Sequence, residues 1–518
     1  MTVSWERCEA QHEGSRCTGV QLRDHRCLAH TDEETRLARL AELREGDSLS
    51  FVRGVPFSTV LLYDIMSQAP RDRDECPILK NADFNRALFE GDTNFSRARF
   101  VGRADFSGVR FRGTTDFSHA AFEDDAWFGV STFDGTARFG ATKFNQWVSF
   151  GNAIFRREAW FGDATFAGHA WLNARFDLLV QFNRAVFERA RRTGLMLGRA
   201  VSLDEASFLQ GVQIEAAGAE ISCHHAQFMG GATLRLHWAD VSLDGAEFAR
   251  PSILVGGPAR AVDLVVSEEE DLGQVLSEYP AQRLRPNLVS MKGTDVGNLV
   301  LSNIDLRRCE FVGAHNLDRL RIEGADSFAR APHLGKARGR LVIAEEVVLR
   351  RKAGDKQWEQ VLDETELPAE PLDAEDVASI YRALRKGRED NKDEVGGADF
   401  YYGEMEMRRR SKSIPPGERL ILWFYWLVSG YGLRASRALI SLLITVALFA
   451  IMLWQWGFSS AEPLIGAIFF SASSTTSLLR APEANLTYVG EGLNMILRLL
   501  GPLFFGLALL SLRGRVKR

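Results

Sequence analysis

Phenylalanine recurs along one stretch of this chain in a register that few folds can accept. From Phe84 through Phe89, Phe95, Phe100, Phe106 and Phe111 to Phe155, Phe161 and Phe166, the spacing alternates five and six without interruption. The unit is therefore eleven residues, as in ADFSGVRFRGT. Neither the 3.6-residue period of a helix nor the two-residue period of a strand fits it. A fixed repeat of this length implies a solenoid, in which each turn buries its apolar face only against its neighbours. Ordinary strands would not hold one register through sixteen phenylalanines.

A second regularity sits two residues before each phenylalanine. Ala82, Ala87, Thr93, Ala98, Ala104 and Val109 begin the series, and Val148, Ala153, Ala159 and Ala164 end it; every member is small. A small and a large residue two apart point the same way, the small one making room at a tight corner. Each buried ring stabilises by roughly 1.5–3 kcal/mol, enough in a column to hold a narrow stack together.

ADFNR, ADFSG, TDFSH and ARFGA resemble the unit of the pentapeptide-repeat family, A(D/N)(L/F)XX. That resemblance implies a mainly β fold, a right-handed quadrilateral β-helix with four units per coil. One extra residue per pair of units then predicts about 22 residues per coil where the plain family coil has about 20. Glycine often follows the second phenylalanine by two positions, at Gly91, Gly102, Gly113, Gly135 and Gly168. These are expected to take positive φ at bulged corners. The register loosens after Phe166. The repeat is placed at 80–255, an insertion carrying SEEED at 256–286, and continued repeat with closing strands at 287–350, GRLVIAEEVVLRR ending the stack.

The N-terminal segment, 1–60, carries Cys8, Cys17, Cys27 and His30. Three thiolates and one imidazole complete a tetrahedral zinc site and leave no open position for catalysis. A segment this short also lacks the core to fold well alone. Structural zinc is the first expectation and reduced, unliganded thiols the second. The surrounding CTGVQL…RCLAH resembles a cysteine-rich segment ahead of repeats in related bacterial proteins. The leading MTVSWERCEAQHEG has no apolar core of the secretory kind, which places this part in the cytosol.

Beyond the repeat, 371–413 reads as a helical hairpin broken at Gly396-Gly397, with Tyr401, Tyr402, Met405 and Met407 as packing residues. It resembles the connector between pentapeptide repeats and two-helix membrane domains. Arg408, Arg409, Arg410 and Lys412 follow, placed to meet anionic headgroups at a membrane interface. LILWFYWLV, within an interfacial helix over 418–431, is too short to span a bilayer. The domain 438–518 offers two spans, Ala438–Trp456 without a charge and Leu493–Leu512 with Arg498 alone. Eleven Lys or Arg flank these helices on one side and only Arg480 lies between them. The positive-inside rule then gives a multi-pass protein of the cell (inner or plasma) membrane with N- and C-termini cytoplasmic.

Between the spans, PLIGAIFFSASSTTSLL is uncharged and hydroxyl-rich, and is expected to dip into the bilayer as a re-entrant segment. Helix, re-entrant loop and helix resemble the two-transmembrane pore domain of the potassium-channel superfamily. The pore-loop residues implied are Ser473, Ser474, Thr475, Thr476 and Ser477, which keep a threonine pair but lack GYG. Two helices enclose no pore alone, so that reading requires a homo-oligomer, a tetramer if the resemblance holds. The competing reading is a membrane anchor for a scaffold whose β-helix binds an unidentified protein partner.

Other function classes fare worse. Lys80–Arg189 holds fourteen basic and thirteen acidic residues, which argues against the DNA mimicry of some family members. No basic stripe supports nucleic-acid binding. Without a phosphate loop, nucleophile elbow or HExxH the chain is expected not to be an enzyme, His224-His225 reading as solvent-facing corners.

Overall fold

The computed structural model describes residues 6–22, 25–41, 48–257, 285–324, 326–332, 339–362, 372–476 and 485–516. The chain divides into two compact units, Met1–Ala329 with Leu362–Pro368, and Arg330–Val361 with Ala369–Arg518.

The first unit is a β-solenoid built by the pentapeptide repeats. Strands of two residues stack in parallel, and the register gives the coil size directly. Phe100 pairs with Phe122 and Phe122 with Phe144, 22 residues per coil. Phe166 pairs with Phe187 and Phe187 with Phe208 at a step of 21. Phe228 pairs with Phe248 at 20, the plain repeat length. The expected enlarged coil is thus present, and it relaxes toward the family length as the extra residues drop out.

The phenylalanines form four columns of stacked rings. One runs Phe84, Phe106, Phe128, Phe150 with centroids 4.9–5.0 Å apart. A second runs Phe57, Phe89, Phe111, Phe133, Phe155, Phe176, a third Phe95, Phe117, Phe139, Phe161, Phe182. The fourth continues from Phe100 to Phe248. All sixteen small partners are buried beside them. Cys223 and Cys309 occupy buried core positions, and burial pushes the Cys223 thiol up to about 12.

The corners differ from expectation. Positive φ falls at Arg86, Arg97, Gly108, His119, Val130, Ala141, Asn152 and Asp163, two residues after the first phenylalanine of each unit. There a four-residue turn closes, as in Ala87 N–H to Phe84 O at 2.9 Å. Of the five glycines expected at positive φ, only Gly102 has it. Gly113, Gly135 and Gly168 are demanded by close approach instead. A Cβ at Gly135 would lie 2.4 Å from Gly113 O, and one at Gly168 2.1 Å from Gln146 O. The Asp or Asn of the repeat fixes the turn that follows it, since Asp105 Oδ1 accepts the Ser107 amide and Asp116 Oδ1 that of Ser118. Most of the insertion, 258–284, lies outside the described residues.

The second unit is helical. Residues 344–350, expected within the closing strands of 287–350, belong instead to helix α3 (Ala344–Lys352). Glu345 and Glu346 in its first turn and Arg350, Arg351 and Lys352 in its last suit the helix dipole, which outweighs the β-branched pair Val347-Val348. Helices α4 (Ala374–Asp390) and α5 (Glu394–Arg410) form the expected hairpin. Its break lies at Asn391–Asp393, not at the glycines: Lys392 takes φ +61° and the Asp393 carboxylate caps Gly396 N–H at 2.9 Å. Helices α6 (Pro416–Ser429), α7 (Ala435–Met452), α8 (Leu464–Thr476) and α9 (Tyr488–Val516) follow. In the first unit, α1 (Glu33–Ala41) and α2 (Thr59–Gln68) precede the repeats.

Candidate functional site

The N-terminal cysteines and histidine converge. Cys8 and Cys17 flank a hairpin, Gln11–His12 against Ser15–Arg16, while Cys27 and His30 share one turn closed by His30 N–H to Cys27 O at 2.9 Å. Cys8 Sγ lies 3.6 Å from His30 Nδ1, Cys27 Sγ 3.3 Å from the same nitrogen, and Cys17 Sγ 3.8 Å from Cys27 Sγ. All four ligand atoms fall within 4.8 Å of one another. Zinc bonds of about 2.3 Å to sulfur and 2.0 Å to nitrogen give tetrahedral edges of about 3.5–3.8 Å, so the set fits a metal ion. The three thiols are 0–3 % exposed, which leaves no lane for substrate. The hydrogen bond with Cys27 pulls the Cys17 thiol down to about 5, and the same bond pushes Cys27 up.

This module is seated on the first coils. Thr18 Oγ1 donates to Gly54 O at 2.8 Å, and Gly54 N–H to Asn85 O at 2.9 Å. Gly54 is at φ +67°, and a Cβ there would meet Thr18 O at 2.3 Å. Arg112 grips Glu13 through two bonds of 2.5 and 2.7 Å. His12, with Nε2 2.9 Å from Glu90, and Glu13 make a second group of potential ligands, but Arg112 already supplies its positive charge. His25 lies exposed beside Gln21. Farther along, His224 is an exposed rung between Asp204 and Asp244, its Nε2 3.0 Å from Ser242 Oγ.

The second unit holds a chain of buried charges. Glu346, fully buried, accepts from Arg340 at 2.5 and 2.6 Å, from Tyr381 at 2.5 Å and from Arg350 at 3.0 Å. Arg350 passes to Glu406 at 2.9 Å, and Glu406 also takes Arg409 at 3.0 Å and the Tyr431 hydroxyl at 3.1 Å. Burial alone would raise both carboxyl pKa values. Arg340 and Arg350 outweigh it at Glu346, and Arg409 and Arg350 at Glu406, so both end below the usual range. The network ties α3, α4 and α5 to Tyr431, in the turn between α6 and α7. None of its carboxylates was singled out in the sequence; only the Gly430-Tyr431-Gly432 pattern offered a signal.

Three members of the basic cluster expected at headgroups are paired with carboxylates. Arg408 pairs with Glu418 at 2.9 Å, Arg409 with Glu406, and Arg410 with Asp355 at 3.1 Å; Lys412 is exposed. Of the hairpin packing residues, Met405 and Met407 are buried, and Tyr402 receives the Trp426 indole N–H at 3.1 Å.

Among the described residues one helix, Ala435–Gly457, is long and apolar enough to cross a membrane. Leu493–Leu512 lies inside α9, which also contains Pro502. Thr487 N–H bonds Gly457 O and Ser459 N–H bonds Asn485 O, each at 2.9 Å, so the chain between them leaves and returns at one level. From that level α8 descends beside α7: Ser471 Oγ donates to Val446 O at 2.9 Å. Ser473, Ser474, Thr475 and Thr476, expected in the pore loop, belong to the last turn of α8. Two of the hydroxyls bond backward along the helix, Thr475 to Ser471 O at 2.7 Å and Ser473 to Phe470 O at 2.9 Å. Ser474 and Thr475 are buried, and a Cβ at Gly501 would touch Thr475 O at 2.6 Å. Ser477 lies outside the described residues.

A family model for pentapeptide repeats (9 copies) matches residues 74–121 and 102–143. No curated protein and no solved structure matches the chain.

Proposed function

We propose that this chain is a non-enzymatic membrane protein in which α7 and α9 span the bilayer, α8 re-enters it, and the repeat solenoid serves in the cytosol as a docking or sensing domain. The observation that carries this reading is the Ser471–Val446 hydrogen bond. Val446 is near the middle of Ala435–Gly457, and α8 begins at the far end of that segment. A helix that starts at one membrane face and stops at mid-depth has a place only where protein or water surrounds its end. Leu443, Ile444, Phe469, Met495 and Leu499, each 60 % exposed or more, supply a lipid-facing surface on all three helices. In a homo-oligomer the ends of α8 would gather around an axis, giving a pore for ions; a tetramer is the assembly the helix order favours. Cys8, Cys17, Cys27 and His30 would hold a structural zinc ion.

A second reading, a membrane-tethered scaffold without conduction, draws on the burial of Ser474 and Thr475 against α9, which turns those hydroxyls away from water. A pentapeptide-repeat solenoid is itself suited to protein interaction. Ion flux into liposomes holding the purified protein, wild type beside Thr475→Ala/Thr476→Ala, separates the two. Flux that the double substitution alters supports the pore. Correctly inserted protein that passes no cation at any pH tried leaves the scaffold.

A further inference from the structure

The chain between α6 and α7 turns through three consecutive left-handed residues, Gly430 at φ +54°, Tyr431 at +58° and Gly432 at +74°. This elbow folds the base of α7 back onto α6. Arg437 comes to rest 5.2 Å from the Trp426 ring centroid and Arg434 5.4 Å from that of Tyr402. The two rings are tied to each other by the Trp426–Tyr402 hydrogen bond. Gly430 is required for this packing, since a Cβ there would meet the Arg434 side chain at 3.0–3.2 Å.

Arg408, Arg409 and Arg410 each have a carboxylate, whereas among the described residues neither Arg434 nor Arg437 is ion-paired to one. An aromatic face holds a guanidinium in place without neutralising it. Both arginines are only half-buried, and apolar surface flanks them on either side in sequence. Leu420, Ile421 and Phe424 of α6 are 55–69 % exposed, as are Ile440, Leu443 and Ile444 of α7. A fixed cationic pair between two exposed apolar faces matches a molecule with a phosphate at its head and acyl chains beside it.

We propose that Arg434 and Arg437, mounted on Tyr402 and Trp426, form a binding site for the headgroup of an anionic phospholipid. The proposal rests on α7 being a membrane span. It replaces the Arg408–Lys412 cluster as the main headgroup contact, because most of that cluster's charge is already answered within the protein. Free phosphate would satisfy the arginines but would leave the apolar faces bare, so the lipid is the occupant the surface selects.

The test uses the full chain reconstituted in phosphatidylcholine with and without phosphatidylglycerol, reading by native mass spectrometry which lipid stays bound. Wild type should retain phosphatidylglycerol in preference. Arg434→Gln/Arg437→Gln should lose that preference by on the order of thirtyfold, from two cations at the surface. Arg434→Lys/Arg437→Lys should keep most of it, and Arg410→Gln should leave it unchanged. A wild type without preference, a glutamine pair that retains the lipid, or displacement by inorganic phosphate would each overturn the site. Protein released from the vesicles by an alkaline wash would instead overturn the membrane reading beneath it.

Discussion

The Tyr431 hydroxyl donates to Glu406 Oε1 at 3.1 Å, joining a strained elbow to the end of the α4–α5 hairpin. Tyr431 is 1 % exposed at φ +58°, a conformation that costs a bulky residue on the order of 1–3 kcal/mol. Arg409 Nε, 3.1 Å from the same hydroxyl, completes the latch. Tyr431→Phe keeps the ring and the strain but removes the bond. Hydrogen exchange at the end of α5 and the start of α7 should rise, reflecting a local loss of about 1–2 kcal/mol. Unchanged protection at both places would mean that ring packing alone holds the elbow.

Acid should loosen the same region. Glu346 and Glu406 have pKa values held below the ordinary carboxyl value of 4.5, because their arginine partners outweigh the burial that alone would raise them. A carboxylate whose folded pKa is depressed stabilises the fold above its unfolded pKa, and that contribution disappears as pH falls through the folded value. The hairpin should therefore resist protease from neutral pH down to about 4.5 and become sensitive below it. Glu406→Gln should be sensitive at neutral pH, since the buried Arg350 and the partly buried Arg409 would lose the carboxylate they share. A hairpin equally resistant at neutral pH and well below pH 4.5 would contradict the assigned linkage.

The metal module makes a separate prediction. Cys17→Ser should abolish tight zinc binding, and elemental analysis of the wild type should return one zinc per chain, as a single closed ligand set requires. A chelator should then expose Arg112 and Glu90, because Glu13 and His12 reach them from the hairpin between Cys8 and Cys17. Solvent labelling of the first coils would report it. Metal-free wild type with the same labelling pattern would return the cysteines to unliganded core thiols.

What the sequence revealed, and what it hid, follows from how local each cause is. The phenylalanine columns were legible because every ring is large, inward and spaced by one rule from Phe84 to Phe166. The cysteine cluster was legible because its residue types have one common chemistry. The corner glycines misled: Gly135 looks like a residue chosen for its own φ, yet it is chosen for the neighbouring coil, 22 residues away. The same applies to Glu346 and Glu406. A buried carboxylate is recognisable only by partners such as Arg340 and Tyr381, and no spacing within one segment announces them. Gly396-Gly397 read as a break because glycine disfavours helix interiors, but an Asp393 cap three residues earlier settled the start of α5.

Val130 gives the sharpest test of the corner geometry. It holds the left-handed position of its turn at φ +57° with its side chain 66 % exposed, so it contributes little packing in return. A β-branched residue is the least suited to that conformation, and the cost for any L-residue is about 1–2 kcal/mol. Gly108 occupies the equivalent corner one coil earlier at φ +68°, which establishes that glycine fits the backbone. Val130→Gly trades that strain for glycine's extra unfolded-chain entropy of roughly 0.5–1 kcal/mol. The balance favours the variant, and the β-sheet melting midpoint of the full chain should rise by roughly 1–3 °C. Gly135→Ala, five residues on, should move the midpoint the other way, because its methyl would press on the Gly113 carbonyl. A lower midpoint for Val130→Gly would mean that the left-handed corner is relaxed and that chain entropy decides the stability of these turns.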